Sequence, residues 1–339
     1  MRPRKPGSAV FRAALVGCGR IGSTFADDQR VEGIYSHAEA YSCCPSTQLV
    51  AVCDADEETA RRCAARWDVA QAFTGLSRML EETTPELVSV CTPDHTHAAV
   101  LNRILDCDSV KGILAEKPLA LDLTDAESVV QRAHDRGVVL AVNYTRRYTS
   151  GHIAVRQRIA SGEIGEIQSV SGRYTKGVLH NGTHWIDLAR WLVGEVISVR
   201  AYSKAQRERD MDLDVHFRFD NGVTGSLLVC EAEAFSIFEM DIVGTSGRIF
   251  LYDSGHRAQR WEARDSLRYS GYRSLVSVED DESDMRDSTL NAVRDLAACV
   301  ANAGRPRCDG TDAVAALRIG AIALQSAVEE REISSGMRA

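Results

Sequence analysis

The stretch "VGCGRIGS", residues 16–23, decides the fold. It ends an apolar run and spaces Gly17, Gly19 and Gly22 as GxGxxG, with Arg20 and Ile21 between the last two. That spacing meets a specific demand. The first glycine allows a tight turn, the second a close approach of backbone to a pyrophosphate, and the third close packing of helix on strand. The amides at the start of the following helix then face the phosphates. The spacing alone is weak; set at the first strand of an alternating pattern, it predicts a dinucleotide site.

Working outward, "LVAVCD" (49–54), "LVSVCT" (87–92), "GILAEK" (112–117) and "VVLAVNY" (138–144) are separated by amphipathic stretches such as "EETARRCAARWD" and "TDAESVVQRAHDRG". Apolar strands alternating with helices describe a parallel sheet covered on both faces. After residue 150 the rhythm changes to period-two stretches, with a hairpin signal at Asp220–Gly222, "DNG". The expectation is an α/β chain: an N-terminal Rossmann domain over 1–145, then an α+β domain over 146–339 with an open, mainly antiparallel sheet. Two domains also suit 339 residues, since single cores stop growing beyond roughly 250–300 residues.

Composition excludes several classes. A net charge of −8 with no basic face argues against nucleic acid. The basic start "MRPRKPGSAV" lacks the apolar core of a signal peptide, and no apolar run approaches the ~18 residues of a membrane span. The ten cysteines contain no CxxC and fall partly within strand-like runs, as small core residues of a reducing compartment do. These readings predict a cytoplasmic protein with no membrane partner and no metal.

The candidate site residues gather at strand ends. Asp54 closes the second strand, where a carboxylate can bond both ribose hydroxyls of NAD and repel a 2′-phosphate, so NAD is expected over NADP. The stretch "TFADDQRVEGIYSHAEAY" makes the first crossover long; it reads equally as a surface insertion or as a loop folded over cofactor or substrate. Thr92 and Pro93 exit the fourth strand, and His95 and His97 open the next helix, with His97 counted among the cofactor contacts. Glu116 and Lys117 end the fifth strand before Pro118, which can adopt a cis bond. A lysine there can hydrogen-bond a substrate hydroxyl and relay its proton.

Together "VGCGRIGS", "VCTPDHTHA", "AEKPLA", "NYTRRY" and "HNGTHWID" resemble, in order and over essentially the whole chain, the Gfo/Idh/MocA oxidoreductases, named for glucose-fructose oxidoreductase and inositol dehydrogenase. The resemblance implies hydride transfer between NAD(P) and a secondary alcohol carbon of a sugar, amino-sugar or cyclic polyol. It makes Lys117 and His184 catalytic, with Asp187 on the histidine's helical face. It adds Glu116 and Asn143 as cofactor contacts. Tyr144, Arg146, Arg147 and His180 join Lys117 and His184 as substrate contacts, one of the two arginines being directed to packing instead. His180 stands where many members carry Asp. With the acidic balance, it points away from plain inositol and toward tailoring of a glycosylated metabolite. Free inositol or glucose, a hydrolase or lyase that retains NAD, and a non-catalytic NAD sensor are the competing readings. Alternating Val215, Phe217 and Phe219 suggest a sheet face covered by a second copy, in a homodimer or homotetramer.

Overall fold

Short runs of Val, Leu, Ile and Ala with no polar alternation can sit only where both faces are covered, and the first half of the chain uses them so. The structure is a computed structural model that describes residues 10–205, 210–283 and 285–336; the basic stretch 1–9 lies outside these residues. Strands β1 (Phe11–Val16), β2 (Thr47–Cys53), β3 (Gln71–Phe73), β4 (Leu87–Val90), β5 (Gly112–Ala115) and β6 (Val139–Val142) form one parallel sheet in the order β3-β2-β1-β4-β5-β6. Helices α1 (His37–Cys43), α2 (Glu57–Arg66), α3 (Leu76–Thr83), α4 (His97–Leu105) and α5 (Leu123–Asp135) connect them. The strand order reverses between β1 and β4, the switch point at which such sheets bind ligands.

The second sheet starts at β7 (Ile167–Tyr174), after α6 (Ser150–Ala160) and before α7 (Thr183–Leu192). It continues with β8 (Val196–Ala205), β9 (Asp212–Phe219), β10 (Thr224–Val229), β11 (Glu239–Gly244), β12 (Gly247–Tyr252), β13 (Arg257–Asp265) and β14 (Arg273–Glu282). The chain closes with α8 (Ser288–Asn302), α9 (Gly310–Glu329) and the short β15 (Ile333–Ser334). The sheet order is β14-β13-β12-β11-β7-β10-β9-β8-β15, antiparallel except where β10 meets β7.

The division into units differs from a single cut at residue 145. One unit comprises residues 1–148 and 286–314, the other 149–285 and 315–339. The reason is packing. A side chain at Gly112 would strike Val300 and Leu296 of α8, so that helix lies directly on β5. Beyond it, Val142 N–H donates to the Cys308 carbonyl at 3.0 Å, and Asp309 bridges to Ala141. The returning chain therefore covers the open edge of β6, which would otherwise expose unpaired backbone groups.

The period-two residues of β9 face inward, not outward as the sequence suggests. Val215, Phe217 and Phe219 are at most 2% exposed. Phe217 stacks on Trp185 of α7 with ring centroids 5.5 Å apart, and Trp185 Nε1 donates to the Glu239 carbonyl at 3.0 Å. The opposite face of the sheet carries Ser169, Ser171, Arg200, His216, Arg218, Thr224 and Ser226 around a groove of about 420 Å³. Its far side carries Arg248 over the rings of Phe250 and Trp261. Among the described residues one helix, α9, is long and apolar enough by length and composition to cross a membrane, and about half of its apolar window is buried inside the protein. It carries small buried residues, Ala313, Ala316 and Ala323 among them.

Removing the Phe217 ring opens a cavity against Trp185, so Phe217→Ala should cost about 3–5 kcal/mol in urea unfolding. Arg218→Ala, one residue on and facing the other way, should stay within about 0.5 kcal/mol.

Candidate active site

The glycine turn is built as its spacing demands. Gly17 has φ +93°, and a Cβ there would lie 2.5 Å from the Cys91 backbone. A Cβ on Gly22 would lie 2.1 Å from the Gly17 carbonyl oxygen, so this position admits no side chain. Gly19 is different: nothing lies within 4 Å of where its Cβ would be. The first and third glycines are thus required by the protein's own packing, while the second leaves an open cradle, as an approaching pyrophosphate requires. Opposite, Asp54 Oδ2 accepts the Cys18 N–H at 2.8 Å and Oδ1 accepts the Asp56 N–H at 3.0 Å. The long crossover has not displaced this carboxylate from the glycine turn.

Hydrogen bonding explains why. One helical turn forms after Gly19, with Ser23 N–H donating to the Gly19 carbonyl at 2.8 Å. The chain then leaves and returns at Ser36, which caps α1 through Glu39 N–H. The first amides of α1, on His37 and Ala38, donate back to the carbonyls of Ile21 and Gly22 at 3.1 and 2.9 Å. Residues 23–36 are therefore an excursion from a helix that resumes where it stopped. The excursion is anchored, not loose. Phe25 stacks on Tyr35 at 5.7 Å, the Arg20 guanidinium lies 4.5 Å over Phe25, and Asp27 pairs with Arg66. Gly33, at φ +111°, lets the backbone meet Arg286, whose carbonyl accepts the Ile34 N–H. Arg20 is thus engaged with the excursion, including Asp28 at 3.5 Å.

Across the switch point, Thr92 Oγ1 bonds Thr96 Oγ1 at 2.8 Å, and Pro93 leads into a short 3₁₀ turn. His97 is not at the cofactor surface. It is fully buried, with Nδ1 2.7 Å from the Pro118 carbonyl and Nε2 2.8 Å from the Thr92 carbonyl. Both ring nitrogens are spent tying the fourth strand's exit to the fifth's, so the expectation of a cofactor contact is corrected to a structural tie. The Lys117–Pro118 peptide is cis.

Glu116 lies against a polar cluster. Its Oε1 accepts from Asn143 Nδ2 at 2.7 Å and lies 3.0 Å from His37 Nε2. Burial alone would raise this carboxyl; hydrogen bonds from His37 and Asn143 and the charge of Lys117 outweigh it and hold the group below its ordinary value. Asn143 is 1% exposed, and among the described residues its Oδ1 has no hydrogen-bond partner. A buried amide oxygen in that state invites a donor, and the carboxamide of a nicotinamide would supply one. The open cradle at Gly19 and this orphaned acceptor fit an NAD-type cofactor. Arg147 is 4% exposed and directed inward, with Nη1 3.1 Å from both Asp312 Oδ2 and the Arg307 carbonyl. It is the packing member of the arginine pair, which corrects its place among the substrate contacts. Burial lowers the Arg146 guanidinium to about 9, leaving it cationic at neutral pH. Tyr144 is buried, 2% exposed.

In the second unit, "GVLHNG" forms a π-helical turn over Gly177–Gly182 that runs into α7. Two carboxylates missed in the sequence hold it. Asp210 accepts the N–H groups of Leu179 and His180, both at 2.8 Å, and Asp212 accepts the Gly177 N–H at 3.0 Å. Burial pushes the Asp210 carboxyl up, against the pull of these amides. Gly177 has φ +80°, and a Cβ there would strike Asp210. The only sequence signal was a run of acidic residues, "DMDLD", before a strand. His180 and half-buried His184 extend from this turn and the start of α7, and Asp187, 1% exposed, follows one turn on.

A doubly wound sheet with a glycine cradle, a carboxylate after the second strand and a lysine at one carboxyl edge defines a nicotinamide-nucleotide oxidoreductase. Residues 11–144 match the family profile described as "Oxidoreductase family, NAD-binding Rossmann fold", and residues 176–250 match the GFO/IDH/MocA C-terminal domain. The chain belongs to the Gfo/Idh/MocA oxidoreductase family. It is 25% identical to scyllo-inositol 2-dehydrogenase (NAD(+)) of Bacillus subtilis, over 93% of each chain. It is 36% identical to dTDP-3,4-didehydro-2,6-dideoxy-alpha-D-glucose 3-reductase of Saccharopolyspora spinosa, over 49% of this chain and 44% of that one. In fold it is similar to levoglucosan dehydrogenase solved with NADH and L-sorbose, with a TM-score of 0.81 and 19% identity, covering 97% of this chain and 100% of the other.

Two measurements check this geometry. Gly19→Val should melt like the wild type yet lose about tenfold or more in NADH affinity by fluorescence titration, while Gly22→Ala should melt lower because its Cβ meets the Gly17 carbonyl. The stability that Glu116 contributes as a carboxylate is complete above its ordinary value of 4.5 and is lost as pH falls through its lower folded value. The urea-unfolding difference between wild type and Glu116→Gln should therefore shrink on acidification below about pH 4.

Proposed function

We propose that this enzyme transfers hydride between NAD and a secondary alcohol carbon of a sugar, amino-sugar or cyclic polyol. The observation that carries the reading is Lys117 at the carboxyl end of β5, on the edge that also bears Gly19, Asp54 and Asn143. When bound, NAD supplies the hydride acceptor. Lys117 binds the reacting hydroxyl and eases loss of its proton, and His184 exchanges that proton, with Asp187 orienting its ring. Asp54 selects NAD over NADP by repelling a 2′-phosphate, and Arg146 and His180 contact the substrate's hydroxyls.

Relatives that act on inositols, on D-apiose and on a nucleotide-linked deoxysugar support a polyhydroxylated ring as substrate. The last of these and His180 together favour a sugar-tailoring role over simple polyol catabolism. The ten free cysteines suit a cytoplasmic location. The outer face of the second sheet, with Arg200, Tyr202, Arg248, Phe250 and Trp261 on one broad surface, suits pairing with a second copy about a two-fold axis, in a dimer or tetramer.

The test is NADH formation in wild type and Lys117→Ala, with NAD and a panel of cyclitols, hexoses, nucleotide sugars and aminoglycosides. The expected result is a substrate-dependent rise that falls by about 10²-fold or more in the variant. Full activity in Lys117→Ala, or no rise with any polyol while NAD binds, overturns the reading.

A further inference from the structure

Behind Glu116 lies a chain of buried polar side chains that nothing in the proposed chemistry uses. Tyr41 Oη is 2.9 Å from Ser89 Oγ, Ser89 Oγ is 2.8 Å from His37 Nδ1, and His37 Nε2 is 3.0 Å from Glu116 Oε1. Tyr41, Ser89 and His37 are all 0% exposed. The proton order follows from what each group can donate. A carboxylate only accepts, so Nε2 carries a hydrogen toward Glu116. Ser89 Oγ donates to Tyr41 Oη and lies within hydrogen-bond distance of His37 Nδ1, so it joins the ring to the phenol. Burial raises the Tyr41 phenol, which keeps it protonated.

The set has the members of a hydrolytic triad but cannot act as one. Ser89 is sealed from solvent, and its hydroxyl lies between a ring nitrogen and a phenol, with no path to a substrate. What remains open is the other end. Glu116 keeps 13% of its side chain exposed, and Oε2 is not the oxygen that His37 and Asn143 hold.

We propose that His37 is a positioning residue: through its Nε2–H, backed by Ser89 and Tyr41, it fixes Glu116 as a carboxylate with Oε1 engaged inside and Oε2 presented beside Lys117. The proposal rests on the reading of this edge as the nicotinamide edge. It gives the helical excursion a reason, since His37 reaches Glu116 only because α1 resumes on Ile21 and Gly22. The titratable and charged groups that surround Glu116 are Lys117 on its own strand end, His37 on α1 and Cys91 at the end of β4, whose thiol the Glu116 charge helps to raise. Asn143, Ser89 and Tyr41 complete the polar set around His37.

The experiment compares wild type with His37→Leu, which fills the space without a donor, and His37→Gln, whose amide can replace Nε2–H. Glu116 is followed in the cofactor-free protein by carboxyl carbon NMR on side-chain-labelled glutamate, assigned with Glu116→Gln, and NADH affinity is followed by fluorescence. His37→Leu should raise the Glu116 titration by about one unit and weaken NADH binding about tenfold. His37→Gln should recover most of both. An unmoved Glu116 titration in His37→Leu, or a His37→Gln protein as impaired as the leucine variant, overturns the proposal. Should His37→Leu fail to fold, Ser89→Ala takes its place: it leaves the imidazole and Glu116 intact while removing the hydroxyl that joins Nδ1 to Tyr41, and a Glu116 titration that does not move in it overturns the proposal equally. Because the NMR is read without cofactor or substrate, a shifted titration in a protein that oxidises no polyol would sink the functional reading alone.

Discussion

A carboxylate enclosed at the end of a parallel strand loses several kcal/mol of hydration unless other groups replace the water. Glu116 is such a group, and much of the first unit is arranged around supplying its partners. Asn143 arrives from the end of β6 and His37 from the start of α1, segments far apart in sequence. His97 adds a second tie, joining the exits of the fourth and fifth strands through Pro118 and Thr92. Lys117 thus follows Glu116 on a strand end that is held from three sides.

The second unit solves a comparable problem with backbone instead of side chains. A π-helical turn leaves amides pointing in one direction, and Asp210 and Asp212 collect them. The turn then passes directly into α7, so the backbone that carries the histidines at 180 and 184 is set by the two aspartates. Trp185, clamped between Phe217 and the Glu239 carbonyl, keeps α7 from rotating on the sheet.

Much of this was legible in the residues. The glycine spacing, the apolar strands, Asp54 and the lysine before Pro118 all follow local rules, and the structure keeps each where those rules place it. What stayed hidden depends on partners distant in sequence. No window over "GRIGSTFADDQ" reveals that His37 continues the helix begun at Gly19, because the continuity lies in hydrogen bonds across an excursion. Period-two alternation in β9 marks two faces but does not say which one α7 covers, and Phe217 was assigned to the wrong one. His97 and Arg147 look like site residues in sequence because polarity at a strand exit suggests function; both are turned inward to carbonyls or a carboxylate that only the fold brings near.

The covering of β6 by Cys308 and Asp309, and of β5 by α8, has a consequence for the order of events on the ribosome. The nucleotide-binding sheet is complete in sequence by Val142, yet its last edge and one of its covering helices belong to chain made much later. A nascent chain released or paused before residue 314 carries every glycine, Asp54 and Lys117, but its sixth strand is an unprotected edge. Through the whole synthesis of the second sheet, that edge is open to pairing with other chains. A fragment cut after Tyr148 would hold the dinucleotide fingerprint while lacking part of the domain that makes it fold.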